Sequence, residues 1–253
     1  MEFEQLELFP GKDKQGVPEN FSPLCMRRGE LYTIVGSTGS GKSRLIKDIE
    51  QLSNGDSITG RTVRLNKTAL CGHARLEASR ALVAHLGQNM RFILDLDAAS
   101  FLRLHARCRN ASCTPETVLA LANNLTPEPI SMQQNLNLLS GGQTRALMIA
   151  DIALICDAPV VLVDEIENAG LDKEAALKAL QRRDKLVLVV THDPHTALSS
   201  KQRIVMQNGA VRAVIARSSA EEELYKALST AYLREQRLRC MLRSGQRLSA
   251  CET

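Results

Sequence analysis

Two rhythms of apolar residues run through the chain. "GELYTIVG", "PVVLVDE" and "KLVLVVTHD" carry short, nearly unbroken apolar runs closed by glycine or acidic residues. Such runs predict strands buried on both faces, as in a parallel sheet covered by helices. Elsewhere the spacing changes to three and four. Leu45, Ile46, Ile49 and Leu52 predict a helix from Arg44 to Leu52, and "DKEAALKALQRR" predicts another. "AASFLRLHARC" and "PETVLALANNL" predict helix between Asp97 and Asn124, with Pro115 suited to a first helical turn. A further helix is expected from about Gly141 to Ile155, and a helical tail from Ser218 to about Leu248. "NGDSITGRTVRLN" reads as turns and then a short strand, "ALVAHLGQ" as a strand ending at Gln88, and "TPEPISMQQN" as a loop. In "QRIVMQNGAVRAVIA", Asn208-Gly209 divides two runs and predicts a hairpin.

The chain has 253 residues, 44% of them hydrophobic, enough for one large α/β domain or two small ones. Its net charge of +4 is short of what a protein that coats nucleic acid carries. Aromatic residues make up 3%, without Trp, so base-stacking platforms are poorly supplied and nucleic acid is not an expected partner. "MEFEQLELFP" is acidic and alternating, unlike a signal or transit peptide. The most apolar stretch, "ALMIADIALICDAPVVLV", is interrupted by Asp151, Asp157 and Pro159 and does not suit a membrane span. A cytoplasmic protein is expected, held at the inner face of a membrane only through a partner. The seven cysteines form no regular framework and read as reduced thiols. His105, Cys108 and Cys113 have metal-like spacing, but no fourth ligand follows, so ordinary thiols are the reading.

Chemistry enters at Gly36-Ser37-Thr38-Gly39-Ser40-Gly41-Lys42-Ser43, which matches G-x-x-x-x-G-K-[ST] between a predicted strand and a predicted helix. The glycines let successive backbone N–H groups turn around an anion, and the helix N-terminus adds its dipole. Lys42 supplies a charge for β- and γ-phosphates, and Ser43 a hydroxyl for Mg²⁺. The buried strand before Asp164-Glu165 would deliver Asp164 to the metal shell. Glu165 is the candidate to polarise water against the γ-phosphate. Between these motifs stands Leu139-Ser140-Gly141-Gly142-Gln143, two bare glycines at a helix start, which is itself an anion site.

With LSGGQ between those motifs, residues of about 25–215 resemble the ATP-binding cassette ATPases. The resemblance implies an α/β fold: a P-loop NTPase core with a mostly parallel sheet, N-terminal antiparallel strands and an inserted helical subdomain over about 89–145. The cassette would fill 1–216, and 217–253 would be a helical tail. It implies ATP and Mg²⁺ as cofactors, with residues 36–43 and Arg44 around the nucleotide and Ser43, Gln88 and Asp164 around the metal. Ser140, Gly141, Gly142 and Gln143 would meet the γ-phosphate held by a second copy or a paralogue. Gln88 resembles the glutamine that reaches the metal and the attacking water. His192 in "VVTHD" resembles the switch histidine, and Asp172 in "GLD" the aspartate that communicates across the dimer. Glu165, His192 and Gln88 form the catalytic set. His195 receives no role and is expected at the surface. Phe9 is the choice for the aromatic stacked on adenine, with Phe3 and Phe21 as competitors.

The chain departs from the family in two places. Ile166-Glu167-Asn168-Ala169-Gly170-Leu171-Asp172 is one residue longer than the usual stretch and lacks its proline. Thr144-Arg145 replaces the usual pair after LSGGQ. The load of such a motor is not written in its ATP site. A separate membrane-spanning transporter subunit leads on family frequency, docking on the helical segment 97–139 beside Gln88. A soluble cassette serving cofactor or metallocluster assembly, or remodelling a protein, is the alternative. A chromosome-structure ATPase would need a long insertion between Lys42 and Ser140, which the chain lacks. The basic tail, with Lys226, Arg234, Arg237, Arg239, Arg243 and Arg247, reads either as a partner-docking or dimer-stabilising arm or as a solvated helix on its own domain.

Overall fold

The computed structural model describes residues 3–167, 170–181 and 184–248. Asn168 and Ala169 of the lengthened stretch, Arg182 and Arg183 of "LQRR", and the last five residues of the tail lie outside the described residues.

The chain begins with β1 (Gln5–Phe9), β2 (Leu24–Arg27) and β3 (Leu31–Val35), then α1 (Lys42–Glu50), β4 (Thr62–Leu65) and β5 (Thr68–Ala69). Next come α2 (Gly72–Leu82), β6 (Val83–Leu86), α3 (Ala98–Cys108), α4 (Pro115–Leu125) and α5 (Gly141–Leu154). The second half contains β7 (Val160–Asp164), α6 (Lys173–Gln181), β8 (Leu186–Val190), α7 (Pro194–Ser199), β9 (Gln202–Gln207), β10 (Ala210–Ala216) and α8 (Ser219–Arg243). A four-stranded antiparallel sheet has the order β2-β1-β4-β5. The main sheet has the order β10-β9-β3-β8-β7-β6, parallel throughout except for the β10 edge, which returns as a hairpin.

The unbroken apolar runs are explained by what covers the main sheet. Along β7, Val160 and Leu162 enter one core and Val161 and Val163 the other; along β8, Leu186, Leu188 and Val190 enter the first and Val187 and Val189 the second. A strand with period-two side chains buried on both faces must be apolar at every position. The first core holds α1 and the inner face of the antiparallel sheet, through Leu45, Ile46, Ile49, Leu6 and Leu8. The second holds α5 and α6. A third core, around Leu102, Val118, Leu136 and Leu147, joins α3, α4 and the outer side of α5. Here His105 Nδ1 bonds Asp151 Oδ1 at 2.7 Å and Cys113 Sγ reaches Leu154 O at 3.6 Å, so both side chains are engaged inside the helical region.

The expected strand "ALVAHLGQ" is shortened at both ends: Ala81 and Leu82 finish α2, and Gln88 lies two residues past β6. Helix α2 has no buried residue, so it leaves no apolar stripe to read. The tail helix is α8, started by a capping box of Ser218 and Glu221. His195 is the clear correction. It is 6% exposed, not on the surface, because α8 covers it: its ring stacks on Tyr225 at 5.4 Å and lies 5.1 Å from Tyr232. Its Nε2 meets Ser229 Oγ at 2.9 Å.

Candidate nucleotide-binding site

The carboxyl ends of β3, β7 and β8 converge, as binding sites do in open α/β sheets. From β3 the chain enters the glycine loop and then α1. At Gly36 (φ 153°) an added Cβ would stand 2.4 Å from Met206 O and 2.6 Å from Ser40 Oγ. At Gly41, which starts α1 with φ 104°, it would stand 2.8 Å from Gly209 Cα. Only glycine lets the loop lie this close to the β9–β10 turn. Ser37, Thr38, Gly39, Ser43 and Arg44 are exposed around the mouth, and Ser40 is buried. Lys42 folds back over the loop and donates to Gly36 O at 2.8 Å and Ser37 O at 3.0 Å. Burial pulls its pKa down, and the carboxylates of Glu165 and Asp164 oppose that pull. The lysine and both acids thus share one electrostatic neighbourhood.

Asp164 ends β7 beside Val190 of β8. Glu165 follows in a left-handed conformation (φ 52°), with its N–H donating to Val190 O at 3.1 Å. That turn aims the side chain out of the sheet. Gln88 Nε2 donates to Glu165 Oε2, and His192 Nε2 lies 3.9 Å from Glu165 Oε1. The three residues of the expected catalytic set therefore meet around one carboxylate.

Sequence reasoning passed over the residue that holds this arrangement. Arg145, 6% exposed, donates from Nη1 to Gly87 O at 2.9 Å and Gln88 O at 3.5 Å. From Nη2 it donates to Asp164 O at 2.5 Å and Glu165 O at 2.9 Å. Desolvation lowers its pKa, while Asp164, Glu167 and Glu165 favour its charge. One fork thus ties the Gln88 segment to the end of β7. Glu167 adds a second tie, accepting from Thr191 Oγ1 and from Asp193 N, the latter at 3.4 Å.

Ser140 caps α5. Its Oγ accepts from Gln143 N at 3.3 Å, and Gln143 Oε1 accepts from Ser140 N at 2.9 Å. The Ser140 hydroxyl also donates to Glu128 Oε2 at 2.9 Å. Gly141 is exposed and Gly142 buried. Among the described residues, no hydrogen bond or ion pair joins residues 140–143 to residues 36–43. Asp172 sits at the start of α6, where its Oδ1 accepts from Ala175 N at 3.1 Å and Tyr232 O–H at 3.3 Å.

Leu6 and Leu8 of β1 face α1, so alternation puts Phe9 on the opposite face. Its ring lies under the Arg64 guanidinium, 4.4 Å from the centroid. Phe3 is buried in the first core and Phe21 packs against it. The segment after β1 meets the glycine loop through Lys14, whose Nζ donates to Gly39 O at 2.7 Å. A buried network pins that segment. Arg61, fully buried, binds Glu19 through Nε at 3.0 Å and Nη2 at 2.6 Å, Asp48 through Nη1 at 3.1 Å, and Gly209 O at 2.7 Å. Glu19 also accepts from Gly11 N at 2.8 Å and Val211 N at 2.5 Å.

A sequence profile described as "ABC transporter" matches residues 20–168, from before the glycine loop to just past Glu165. The chain belongs to the ABC transporter family. As an ATP-binding cassette ATPase it is 42% identical over 251 residues to an uncharacterized ABC transporter ATP-binding protein of Methanocaldococcus jannaschii, covering 98% of this chain and 96% of that one. It is 32% identical over 202 residues to the macrolide export ATP-binding/permease protein MacB of Bradyrhizobium diazoefficiens. That match covers 74% of this chain but 30% of MacB. The fold of this ABC ATPase is shared with a cassette dimer solved in a post-hydrolysis state with ADP and Pi (TM-score 0.64, 24% identity, 83% of this chain and 98% of that one). It is shared too with cbiO1 of Clostridium perfringens (TM-score 0.66, 19% identity, 96% and 100%).

Proposed function

We propose that this cassette is the ATPase subunit of a transporter, that it works as a dimer around two ATP, and that its partner is a separate membrane-spanning protein. Lys42 and the loop N–H groups would hold the β- and γ-phosphates. Ser43, Asp164 and Gln88 offer hydroxyl, carboxylate and amide oxygen, the hard donors that suit Mg²⁺. When bound, that ion would neutralise charge on the phosphates. Glu165 would orient and deprotonate the attacking water, and His192 would fix it against the γ-phosphate. Ser140 and the N–H groups of Gly141 and Gly142 would complete the other copy's site, since among the described residues no hydrogen bond or ion pair joins them to their own glycine loop. Asp172 would act at the dimer face.

The observation that carries the transport reading is the cavity beside Gln88. It has a volume of about 560 Å³ and is lined by Gln88, Met90, Phe92, Leu139, Thr144 and Arg145 among others. Around it Met90, Ile93, Leu94 and Leu138 are exposed, Ile93 to 91%. An apolar rim at the residue that bonds Glu165 is suited to receive a partner's helix and convey its presence to the water-activating carboxylate. Among the described residues no helix is long and apolar enough to cross a membrane. The test is affinity purification of the tagged chain with its native partners, from parent and Ile93→Glu. Recovery of a polytopic membrane protein by the parent and its loss with Ile93→Glu are expected. Recovery of only soluble proteins would refute the reading.

A further inference from the structure

The eight aromatic residues of the chain all pack against partners of their own. Phe3, Phe21 and Tyr32 belong to or pack on the first core, and Phe92 and Phe101 pack on the third, edge to face at 4.9 Å. Tyr225 and Tyr232 hold His195, and Phe9 carries Arg64. The side chain that stands at the rim of the glycine loop is Lys14. Its Nζ is bonded to a neutral carbonyl, Gly39 O, and among the described residues it makes no ion pair. The neighbouring acid is engaged elsewhere: Asp13 Oδ1 accepts from Gln15 N and Val17 N, and Oδ2 from Asn208 Nδ2.

The position of Lys14 is set by its stem and backbone. Lys14 N donates to Asn208 O at 3.2 Å, and Lys14 Cγ packs where a Cβ on Gly209 would come within 2.8 Å. Gly209 N in turn donates to Ser40 O at 2.8 Å. The loop bearing Lys14 is further anchored by the buried pair of Arg61 and Glu19. A positive charge without an acid partner is thus held on a rigid support at a loop built to bind polyanions.

We propose that Lys14 is a second phosphate-binding cation, whose ammonium exchanges the Gly39 carbonyl for an oxygen of the nucleotide's phosphate chain. This rests on the reading of residues 36–43 as the ATP site. A charge-assisted bond to phosphate is stronger than one to a neutral carbonyl, so the exchange is favourable. It has a consequence for specificity. An aromatic ring would grip the base, whereas a lysine that binds phosphate is indifferent to it. The contribution of Lys14 is therefore the same for any nucleoside triphosphate, whichever purine it carries.

The test is calorimetric titration of the full chain with Mg-ATP and Mg-GTP, for the parent, Lys14→Ala, Lys14→Arg and Lys42→Ala. Lys14→Ala should weaken both nucleotides by about tenfold. Lys14→Arg should restore most of the affinity for both. Lys14 is exposed, so Lys14→Ala should melt with the parent. Parental affinity in Lys14→Ala overturns the assignment while leaving the ATP site intact. A loss for ATP alone also overturns it, because Lys14 would then be reading the base. If the parent binds no nucleotide, and so matches Lys42→Ala, the ATP reading itself fails and this inference with it.

Discussion

Replacing Arg145 by methionine removes the fork that ties the Gln88 segment to the end of β7 while nearly keeping its volume. Four carbonyls lose a donor. Those of Gly87 and Gln88 lie where the chain passes from half-buried to exposed, and water replaces the guanidinium there. Those of Asp164 and Glu165 are half-buried, and each carbonyl left unpaired costs about 1–3 kcal/mol. Against this stands the relief of a buried charge, the same desolvation that lowers the Arg145 pKa. The net expectation is a loss of about 2–4 kcal/mol, or roughly 4–16 °C in Tm for a chain of this size. ATP affinity should change little, because Lys42 and its loop are untouched. Turnover should fall by more than tenfold, because Gln88 and Glu165 are no longer held to each other's backbone. Arg145→Lys keeps the charge but not the fork, and should fall between the two. Thermal melts, nucleotide titration and steady-state ATP hydrolysis on the three proteins decide the matter. A methionine variant that melts within 1 °C of the parent and hydrolyses at its rate would show that the fork holds nothing.

Glu165→Gln should bind Mg-ATP as the parent does, hydrolyse it roughly 10²–10⁴ times more slowly, and elute as an ATP-bound dimer on a sizing column; parental hydrolysis would remove Glu165 as the base. Mixing Lys42→Ala with Ser140→Arg should return some activity, because one of the two composite sites is then intact; losing the Ser140 cap costs about 1 kcal/mol, so the second variant should still fold. If the mixture is as inactive as either variant, the shared site is wrong. His195 has its pKa lowered from 6.5, first by burial and then by the Lys173 ammonium, with Glu174 and Asp193 opposing. Its neutral form is the one the fold prefers, so the stability it gives is full above pH 6.5 and is lost as pH falls below that value. Tm should therefore drop more steeply below pH 6.5 in the parent than in His195→Gln, and parallel curves would refute the assignment.

What could be read in advance was whatever is local in sequence. The glycine loop, the apolar runs of β7 and β8 and the LSGGQ cap are contiguous, and the side-chain chemistry follows from the spacing. Arg145 left one faint signal, a lone charge entering the apolar run "ALMIADIAL". Its partners, however, lie 58 and 19 residues away on two other segments. Alternation along β1 already separates Phe9 from Leu6 and Leu8, but that Arg64 lies over its ring depends on the pairing of β1 with β4. His195 stands in a polar stretch and is buried only because α8, arriving from the far end of the chain, lies over it. Lys14 is one of many exposed lysines until the β9–β10 turn brings it to Gly39.

Arg61 makes three positions answer to one another. Glu19, Asp48 and Arg61 come from a loop, a helix and the residue before a strand, and the one guanidinium pairs with both carboxylates. Losing the arginine strands two carboxylates in the interior, and losing Glu19 frees the N–H groups of Gly11 and Val211 as well as the guanidinium. Their mutational effects must therefore be non-additive. A lineage leaving this arrangement has no neutral single step: the first replacement is the damaging one, and later ones act as repairs. The three residues should consequently be inherited as a block, present together or absent together among related cassettes, while the exposed Lys14 in front of them remains free to vary without disturbing the fold.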